Sequence, residues 1–362
     1  MKGIAPTAPA PPGFDDDDHL AAFRVFAASA RAILEEAAPL RRARAPDGAL
    51  REAARAALAD PPRDAAGARE FFRARFAFRE LRRPDGGAAF FTGYYEPEIA
   101  GATAPSPAFP APVFARPSDL VAFAPGDGPA HLDPAFAGAR RRPGGALEPY
   151  PDRAAIYADA LGPGAEVAAW LDDDVEVFMS QVQGSARLRL DGGGTARLVY
   201  DGRNGRPYVS IGASLIADGS IAPAAMSLAN LKAWLRAAGL KPGEAGRARL
   251  ERNPSYVFFR LERDVDPALG PIGGAGLALT PLRSIAVDRT LHAYGTPIFV
   301  GAELPWHEPS PEPFRRLTIA QDTGSAIVGP ARFDLFMGSG DEAGARAGDI
   351  RHEGRAWALE AI

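Results

Sequence analysis

Two aspartates near the C-terminal end of this chain lie in short apolar runs. Burying a carboxyl group there costs free energy unless the group is hydrogen-bonded, so such an acid is a candidate for a functional role. Asp322 follows the strand-prone run Leu317–Ala320, and Asp334 stands between Phe333 and Leu335. Removing a carboxyl group from water raises its pKa, and a second carboxylate nearby raises it further. Two such acids held close together are candidates for acid–base chemistry near neutral pH.

Other residues that could take part in catalysis or binding give weaker signals. Asp288 closes a predicted strand and, read alone, fits an acid that caps a turn. Asp322 begins an Asp-Thr-Gly triplet that matches the aspartic-protease signature, but the sequence lacks the second copy that a paired-aspartate enzyme needs. The five histidines are far apart and show no metal-binding spacing. We therefore expect no metal and no cofactor.

Composition excludes several classes of protein. A length of 362 residues with 46% hydrophobic residues suits two domains with a sizeable core. A net charge of -4, from 41 basic and 45 acidic residues, lacks the excess of positive charge that is typical of nucleic-acid-binding proteins. The absence of cysteine excludes disulfides, cysteine–zinc sites and thiol catalysis. The sequence shows no membrane-spanning run, export signal or lipid-acceptor cysteine.

The chain is expected to begin with a disordered Pro/Ala tail over residues 1–13 and to continue as helices, then short strands. Periodicity and capping residues predict helices over Leu20–Leu40, Glu52–Leu58 and Ala65–Phe78, and one after Ser227. Alternation predicts strands over the following ranges: Ala88–Tyr95, Val175–Val182, Ala186–Leu190, Thr195–Tyr200, Tyr256–Leu261, Ser284–Val287, Pro297–Val300, Arg316–Asp322, Arg332–Met337 and Arg355–Ala361. Many short strands with glycine turns suggest a small closed barrel in the last hundred residues or so.

Two segments combine aromatic and polar residues in a way that suits sugar rings, which stack their apolar faces on aromatic side chains. They are FTGYYEP (Phe91–Pro97) and NGRPYVSIG (Asn204–Gly212), the second of which contains Tyr208. Core packing explains any one of these aromatic residues about as well.

These segments, in their order along the chain, resemble the membrane-bound lytic murein transglycosylase A family of bacterial cell-wall enzymes. The resemblance covers roughly residues 88–360 and includes DRAAIYADALG, FMSQVQGSARLRL, MSLANLKAWL, NPSYVFFR, PLRSIAVDRTLHAYGTPIFV and IAQDTGSAIVGPARFDLFMGSGDEAG. It implies an α+β, mainly β fold. A double-psi β-barrel with N-terminal helices would comprise residues 14–96 and 250–362, and a mostly β inserted domain would comprise 97–249.

The resemblance also implies a site and a reaction. The family's catalytic acid maps onto Asp334, with Asp322 and Asp288 in support. Groove-lining positions correspond to Thr92, Gly93, Tyr94, Gln183, Gly184, Ser185 and Tyr208, with substrate between the two domains. The implied reaction cleaves the β-1,4 bond between N-acetylmuramic acid and N-acetylglucosamine in peptidoglycan, and it leaves a 1,6-anhydro sugar. A single carboxyl group would act first as acid and then as base.

Two alternatives stay open from the sequence. One is a non-catalytic, expansin-like module that binds glycan without cutting it. The other is a hydrolase, which needs a second carboxylate, for which Glu96 is a candidate by residue type. The resemblance further implies peptidoglycan glycan strands as the partner, with other cell-wall enzymes as further candidates. We expect a monomer in the periplasm, at the outer membrane if it is anchored, and no nucleic-acid partner.

Overall fold

The computed structural model describes residues 9–123, 126–263, 266 and 269–362. Its α-helices are α1 (His19–Leu34), α2 (Gly48–Ala59), α3 (Ala65–Arg75), α4 (Arg153–Tyr157), α5 (Asp174–Gln183), α6 (Ile211–Ala217), α7 (Leu228–Ala237), α8 (Ala245–Glu251) and α9 (Asp341–Asp349). Short 3-10 turns occur at Phe14–Asp16 and Pro223–Ala225. None of the helices within these ranges has both the length and the apolar composition needed to cross a lipid bilayer.

The β-strands follow in chain order. They are β1 (Phe76–Leu81), β2 (Ala89–Glu96), β3 (Glu98–Gly101), β4 (Ala111–Phe114), β5 (Leu120–Ala122), β6 (Gly138–Arg141), β7 (Leu147–Pro149), β8 (Val167–Leu171), β9 (Ser185–Leu190), β10 (Thr195–Arg203), β11 (Val257–Arg263), β12 (Ser284–Ala286), β13 (Pro297–Leu304), β14 (Glu312–Asp322), β15 (Arg332–Ser339) and β16 (Arg351–Ala361). The chain divides into two compact units, Met1–Glu96 with Pro267–Ile362, and Pro97–Asp266.

The first unit contains a closed barrel, which confirms the predicted fold class. In the described part of the chain its six strands follow the order β16-β13-β14-β12-β15-β2, and β2 pairs with β16 to close the ring. Two of these contacts, β12 with β14 and β15 with β2, are parallel, and the others are antiparallel. This mixed pairing is that of a double-psi β-barrel. Strand β1 extends the sheet beyond β16.

The N-terminal helices cover one side of the barrel. Phe26 of α1 and Phe72 of α3 are buried in one cluster with the barrel residues Phe299, Leu317 and Trp357. The predicted run Leu20–Leu40 ends earlier, at Leu34. The run Ala65–Phe78 ends at Arg75 because the following residues pair with β16 as β1.

A buried ion pair joins the start of the helical layer to the barrel. Asp17 accepts hydrogen bonds from both terminal nitrogens of Arg283 (2.6 and 2.8 Å) and from the Leu317 N–H (2.7 Å). Asp18 caps α1 by accepting from the Ala21 N–H. Removing one partner of such a pair would leave a buried charge uncompensated.

The expectation of a disordered tail over residues 1–13 is wrong for residues 9–13, while residues 1–8 lie outside the described part. Pro11 is buried, its carbonyl accepts a hydrogen bond from the Phe14 N–H (3.0 Å), and Ala10 packs against the helical core. Proline-rich composition does not prevent order when an adjoining core offers apolar surface to cover.

The second unit is built on a four-stranded sheet in the order β11-β10-β9-β3. The expected end of the insert at residue 249 lies too early, because β11 pairs with β10 and belongs to this sheet. Residues 191–194 form the hairpin turn that joins β9 to β10. In this unit, Arg153 is 1% exposed and donates to the Gln181 amide oxygen and the Ser255 carbonyl, both at 2.6 Å.

The predicted strand Val175–Val182 is wrong, since these residues form helix α5. Asp173 accepts hydrogen bonds from the N–H groups of Val175 and Glu176 (both 2.9 Å), which caps the helix start, and Gly184 ends it in a left-handed conformation (φ 83°). An N-cap acid and a C-terminal glycine are helix signals. They outweigh the apolar alternation of a short run.

Candidate active site

Four polar side chains share one face of the paired strands β2 and β15. In their parallel register, Arg332 pairs with Phe90 and Asp334 with Thr92. Successive side chains of a strand point to opposite faces, so Thr92 and Tyr94 lie on the same side as Arg332 and Asp334. These four side chains are partly exposed, whereas Phe91, Phe333 and Leu335 on the other face are fully buried.

Asp334 is held by a short hydrogen bond and lies in a poorly hydrated place. The Thr92 hydroxyl donates to its Oδ1 atom at 2.6 Å. Loss of hydration raises the pKa of Asp334 to about 6; the Thr92 hydrogen bond and the positive charge of Arg332 oppose the rise, and the Asp322 carboxylate adds to it. Phe333 and Leu335 do not supply this environment directly, because they point to the opposite face. A carboxyl of this kind can exchange a proton near neutral pH.

Asp322 lies on the neighbouring side of strand β12. Ala286 of β12 is in register with Asp322 of β14 and with Asp334 of β15. The Tyr94 hydroxyl donates to Oδ2 of Asp322 (2.8 Å), and the Gly274 N–H donates to Oδ1 (2.7 Å). Burial, followed by the facing Asp322 carboxylate, raises the pKa of Tyr94 well above its ordinary value, so that the phenol stays protonated as a donor.

The buried hydroxyl of Tyr294 lies near the carboxyl group of Asp322. A Cβ on Gly274 would lie 2.5 Å from the Tyr294 hydroxyl and 3.3 Å from Oδ1 of Asp322, so both atoms lie close to this glycine. The Tyr294 hydroxyl has no hydrogen-bond partner within the part of the chain that the structure describes. Burial, then the Asp322 charge, raises the pKa of Tyr294.

Asp288 organises a loop. Its Oδ1 atom accepts from the N–H and hydroxyl of Thr290 (3.0 and 2.6 Å), and its Oδ2 atom accepts from the Gly329 N–H (2.8 Å). Burial alone would raise the pKa of Asp288, but these hydrogen bonds outweigh it and the pKa lies below its ordinary value. Asp288 is therefore suited to holding a turn as a carboxylate, and it is poorly suited to donating a proton.

The groove-lining residues expected from sequence fall in both units. In the first unit, a Cβ on Gly93 would lie 2.8 Å from Cα of Ala347, so the close approach of α9 accounts for this glycine. The other four expected residues lie in the second unit: Gln183 ends α5, Gly184 is its C-cap, Ser185 begins β9 at 6% exposure, and Tyr208 is 38% exposed.

Glu96, the acid that a hydrolase would need as a second carboxylate, is fully buried. Its Oε2 atom accepts from the Ser339 hydroxyl at 2.8 Å, and its backbone carbonyl accepts from the Gly340 N–H. A fully buried carboxylate cannot reach a sugar ring that approaches from solvent. Glu96 is therefore suited to holding the end of β15 by its hydrogen bonds, and it is poorly suited to acting on a sugar.

Sequence reasoning missed Arg332, Gly274 and Tyr294. Arg332 stands two residues before Asp334, and this spacing on a predicted strand was a signal that both lie on one face. Gly274 and Tyr294 come from segments outside regular strands, and only the fold brings them to Asp322. No group of three or more His, Asp or Glu side chains among the described residues is arranged to hold a metal.

Comparisons with known proteins agree with this architecture. The chain matches the family models "MltA specific insert domain" over residues 90–260 and "3D domain" over residues 283–360. It is similar to the membrane-bound lytic murein transglycosylase A of Vibrio cholerae, with 34% identity over 75% of this chain and 66% of that one. The corresponding protein of Escherichia coli K12 is 36% identical over 58% of this chain and 56% of that one. The chain thus spans about half to two thirds of the length of these curated relatives.

Solved structures match over nearly the whole chain. A membrane-bound lytic murein transglycosylase from Agrobacterium tumefaciens has a TM-score of 0.84 at 34% identity, and the match covers 97% of this chain and 95% of that one. MltA from Neisseria gonorrhoeae has a TM-score of 0.75 at 29% identity, over 97% and 90%. Fold and site define a double-psi β-barrel protein with neighbouring carboxyl groups on one face. This chain belongs to the membrane-bound lytic murein transglycosylase A family, which confirms the resemblance seen in its motifs.

Proposed function

We propose that the protein is a lytic transglycosylase that cleaves the β-1,4 bond between N-acetylmuramic acid and N-acetylglucosamine in peptidoglycan and forms 1,6-anhydro-N-acetylmuramic acid. The observation that carries the proposal is the placement of Asp334, a partly exposed carboxyl whose pKa is raised to about 6. Membership of the transglycosylase A family supports the substrate. Because the relatives are named membrane-bound, we also propose action on the cell envelope from the periplasm.

One carboxyl group is enough for this reaction. Asp334 begins protonated and gives its proton to the glycosidic oxygen as the bond from that oxygen to C1 breaks. The C6 hydroxyl of the same muramic acid attacks C1, and its proton passes to the Asp334 carboxylate. No water is consumed, and Asp334 returns to its protonated state. The attacking hydroxyl is tethered to the reacting carbon, so its effective concentration is high.

Asp322 and Asp288 have supporting roles in this proposal. Asp322 adds negative charge that raises the pKa of Asp334. It is also proposed to stabilise positive charge that develops at C1. Asp288 holds the loop that follows β12 by its bonds to Thr290 and Gly329. Thr92 and Tyr94, which share a face of the first unit with Asp334, are proposed to lie near the glycan. Gln183, Ser185 and Tyr208 are proposed as glycan contacts of the second unit, and the protein is proposed to act as a monomer.

The proposal is tested by digesting purified peptidoglycan sacculi in water enriched in oxygen-18 and analysing the fragments by mass spectrometry. A lytic transglycosylase releases anhydro-muropeptides without the heavy isotope. A hydrolase would release reducing ends that carry it, and a binding module would release no soluble fragments. Either of these last results contradicts the proposal.

Asp334→Asn tests the residue assignment. Its turnover should fall by roughly 10²- to 10⁴-fold, the usual contribution of an acid–base group, while glycan binding measured by sacculus pull-down persists. The matched control is Asp349→Asn, which changes an exposed acid at the end of α9 and should leave turnover as in the wild type. Full activity of Asp334→Asn would remove Asp334 from the mechanism.

A further inference from the structure

Arg332, Thr92 and Asp334 form a directed chain of hydrogen bonds on the barrel. A terminal nitrogen (Nη2) of Arg332 donates to Thr92 Oγ1 at 2.9 Å, and Thr92 Oγ1 donates to Oδ1 of Asp334 at 2.6 Å. The strand register places Thr92 directly opposite Asp334 and brings Arg332 to the same face two residues earlier. The chain thus connects a cation to the candidate acid through one hydroxyl.

The direction of this chain follows from what each group can donate. A guanidinium carries only N–H donors and accepts no hydrogen bond, so Thr92 must be the acceptor in its contact with Arg332. A hydroxyl has a single proton, and Thr92 donates that proton to Oδ1 of Asp334. Oδ1 is therefore occupied as an acceptor, and the acid proton of Asp334 belongs on Oδ2.

Arg332 is itself held in place. It lies 5.3 Å from the centre of the Phe90 ring and donates a further hydrogen bond to the Phe333 carbonyl. Burial lowers the pKa of Arg332, yet an arginine stays charged in proteins, so the donor is present at all working pH values. A fixed, always-charged donor is suited to locking the rotation of the Thr92 hydroxyl.

We propose that Arg332 is a positioning residue that, through the Thr92 hydroxyl, directs the acid proton of Asp334 to its Oδ2 atom. This inference rests on the proposed function, in which Asp334 is the acid. It also moves Thr92 from a glycan contact to a member of the proton-directing chain. Neither Arg332 nor Thr92 needs to touch the sugar for this role.

Five variants test the chain: Arg332→Gln, Arg332→Lys, Thr92→Val, Thr92→Ser and, as the matched control, Arg351→Gln. Glutamine can accept as well as donate, so it releases the Thr92 hydroxyl, whereas lysine remains a donor only. Arg351 of β16 is exposed and is in register with Thr92, on the edge of β2 opposite to β15. Its replacement therefore removes an equal charge without breaking the chain of hydrogen bonds.

Two measurements separate a positioning role from a structural one. In steady-state kinetics on glycan strands, Arg332→Gln and Thr92→Val should lower kcat by roughly tenfold or more with KM changed less than about twofold. In carbon-13 NMR titrations of the Asp334 carboxyl, both variants should raise its pKa by roughly one unit, since each loses a contact that favours the ionised form. Thr92→Ser, Arg332→Lys and Arg351→Gln should stay near the wild type in both measurements.

The inference is overturned if Arg332→Gln leaves both kcat and the Asp334 titration unchanged, or if Arg351→Gln shifts them equally. It is also overturned if KM rises while kcat is kept, because that pattern belongs to a glycan contact. The NMR titration does not depend on activity. An active Asp334→Asn enzyme would therefore refute the proposed function, and the titration would still report separately whether the hydrogen-bond chain exists.

Discussion

Asp322 and Asp334 face each other across a single short strand, and each is in register with Ala286 of β12. The side chain between them is only a methyl group, so the two carboxyl groups influence each other. Asp322 is held as an acceptor by Tyr94 and Gly274, and Asp334 is poorly hydrated. The two neighbouring acids therefore have different surroundings, and the Asp322 charge adds to the rise in the pKa of Asp334.

The first prediction concerns the pH dependence of catalysis. Asp322→Asn removes a negative charge that raises the pKa of Asp334, so that pKa should fall. In the proposed mechanism Asp334 is active when protonated, so activity should be lost as pH rises through this pKa, and the basic limb of the kcat profile should move to lower pH. A pH–rate series on soluble glycan strands measures the limb. A limb that stays in place or moves upward would contradict the coupling.

The second prediction concerns the stability cost of the candidate acid. The pKa of Asp334 is raised from its ordinary 3.8 to about 6, so between these values the folded chain keeps a proton that the unfolded chain releases. The wild-type free energy of unfolding therefore falls as pH rises through this window. Asp334→Asn avoids that loss and should be more stable than the wild type above pH 6 by about 2 to 3 kcal/mol at most.

Urea unfolding of both proteins across this pH range checks the stability prediction. The difference between the two curves should be small at the acidic end, grow as pH rises and then level off. Curves that stay parallel would mean that Asp334 titrates in the folded protein as it does in the unfolded chain.

The third prediction concerns the contact between β2 and α9. Gly93→Ala would place a methyl group 2.8 Å from Cα of Ala347 and 3.0 Å from its carbonyl oxygen. Backbone atoms cannot rotate away, so the variant should lose about 1 to 3 kcal/mol of stability, and kcat should fall as Thr92 and Tyr94 are displaced. Thermal unfolding and activity assays measure both effects.

Gly348→Ala is the matched control for this prediction. Gly348 lies in α9 itself, and a Cβ there meets nothing within 4 Å. Alanine also favours helix, so the control should equal or slightly exceed the wild type in stability. Equal losses in the two variants would show that the close approach of α9 to β2 is unimportant.

The fourth prediction concerns Arg153, the buried cation of the second unit. Arg153→Met keeps the apolar stem but leaves the Ser255 carbonyl and the Gln181 amide oxygen without the donor they now share. Buried acceptors without donors are costly, and we expect a loss of about 3 to 5 kcal/mol in urea unfolding. The control Arg189→Met removes an exposed pair with Glu98 and should cost less than about 1 kcal/mol. Similar losses of stability in the two variants would contradict the view that the buried hydrogen bonds of Arg153 stabilise the second unit.

Local patterns predicted the barrel strands well, because a half-buried strand has apolar and polar residues in alternation along the sequence. The strands that contain Asp322 and Asp334 were found within a few residues of their observed bounds. The error at Val175–Val182 has a local cause, since Asp173 and Gly184 are helix-capping residues at the two ends of a short apolar run. The order of residues 9–13 could not be read locally, because it depends on a core built by distant residues.

The sequence by itself determined the family, the mainly β fold class and the identity of the acids, since these depend on residue type and on spacing along the chain. Only the tertiary structure decided that the pKa of Asp334 is raised, because its hydration and the approach of Thr92, Arg332 and Asp322 depend on strands far apart in sequence. Pairing β2 with β15 and β12 with both β14 and β15 turns separate aspartates into coupled groups. A pKa is a property of surroundings, and surroundings exist only once the barrel has closed.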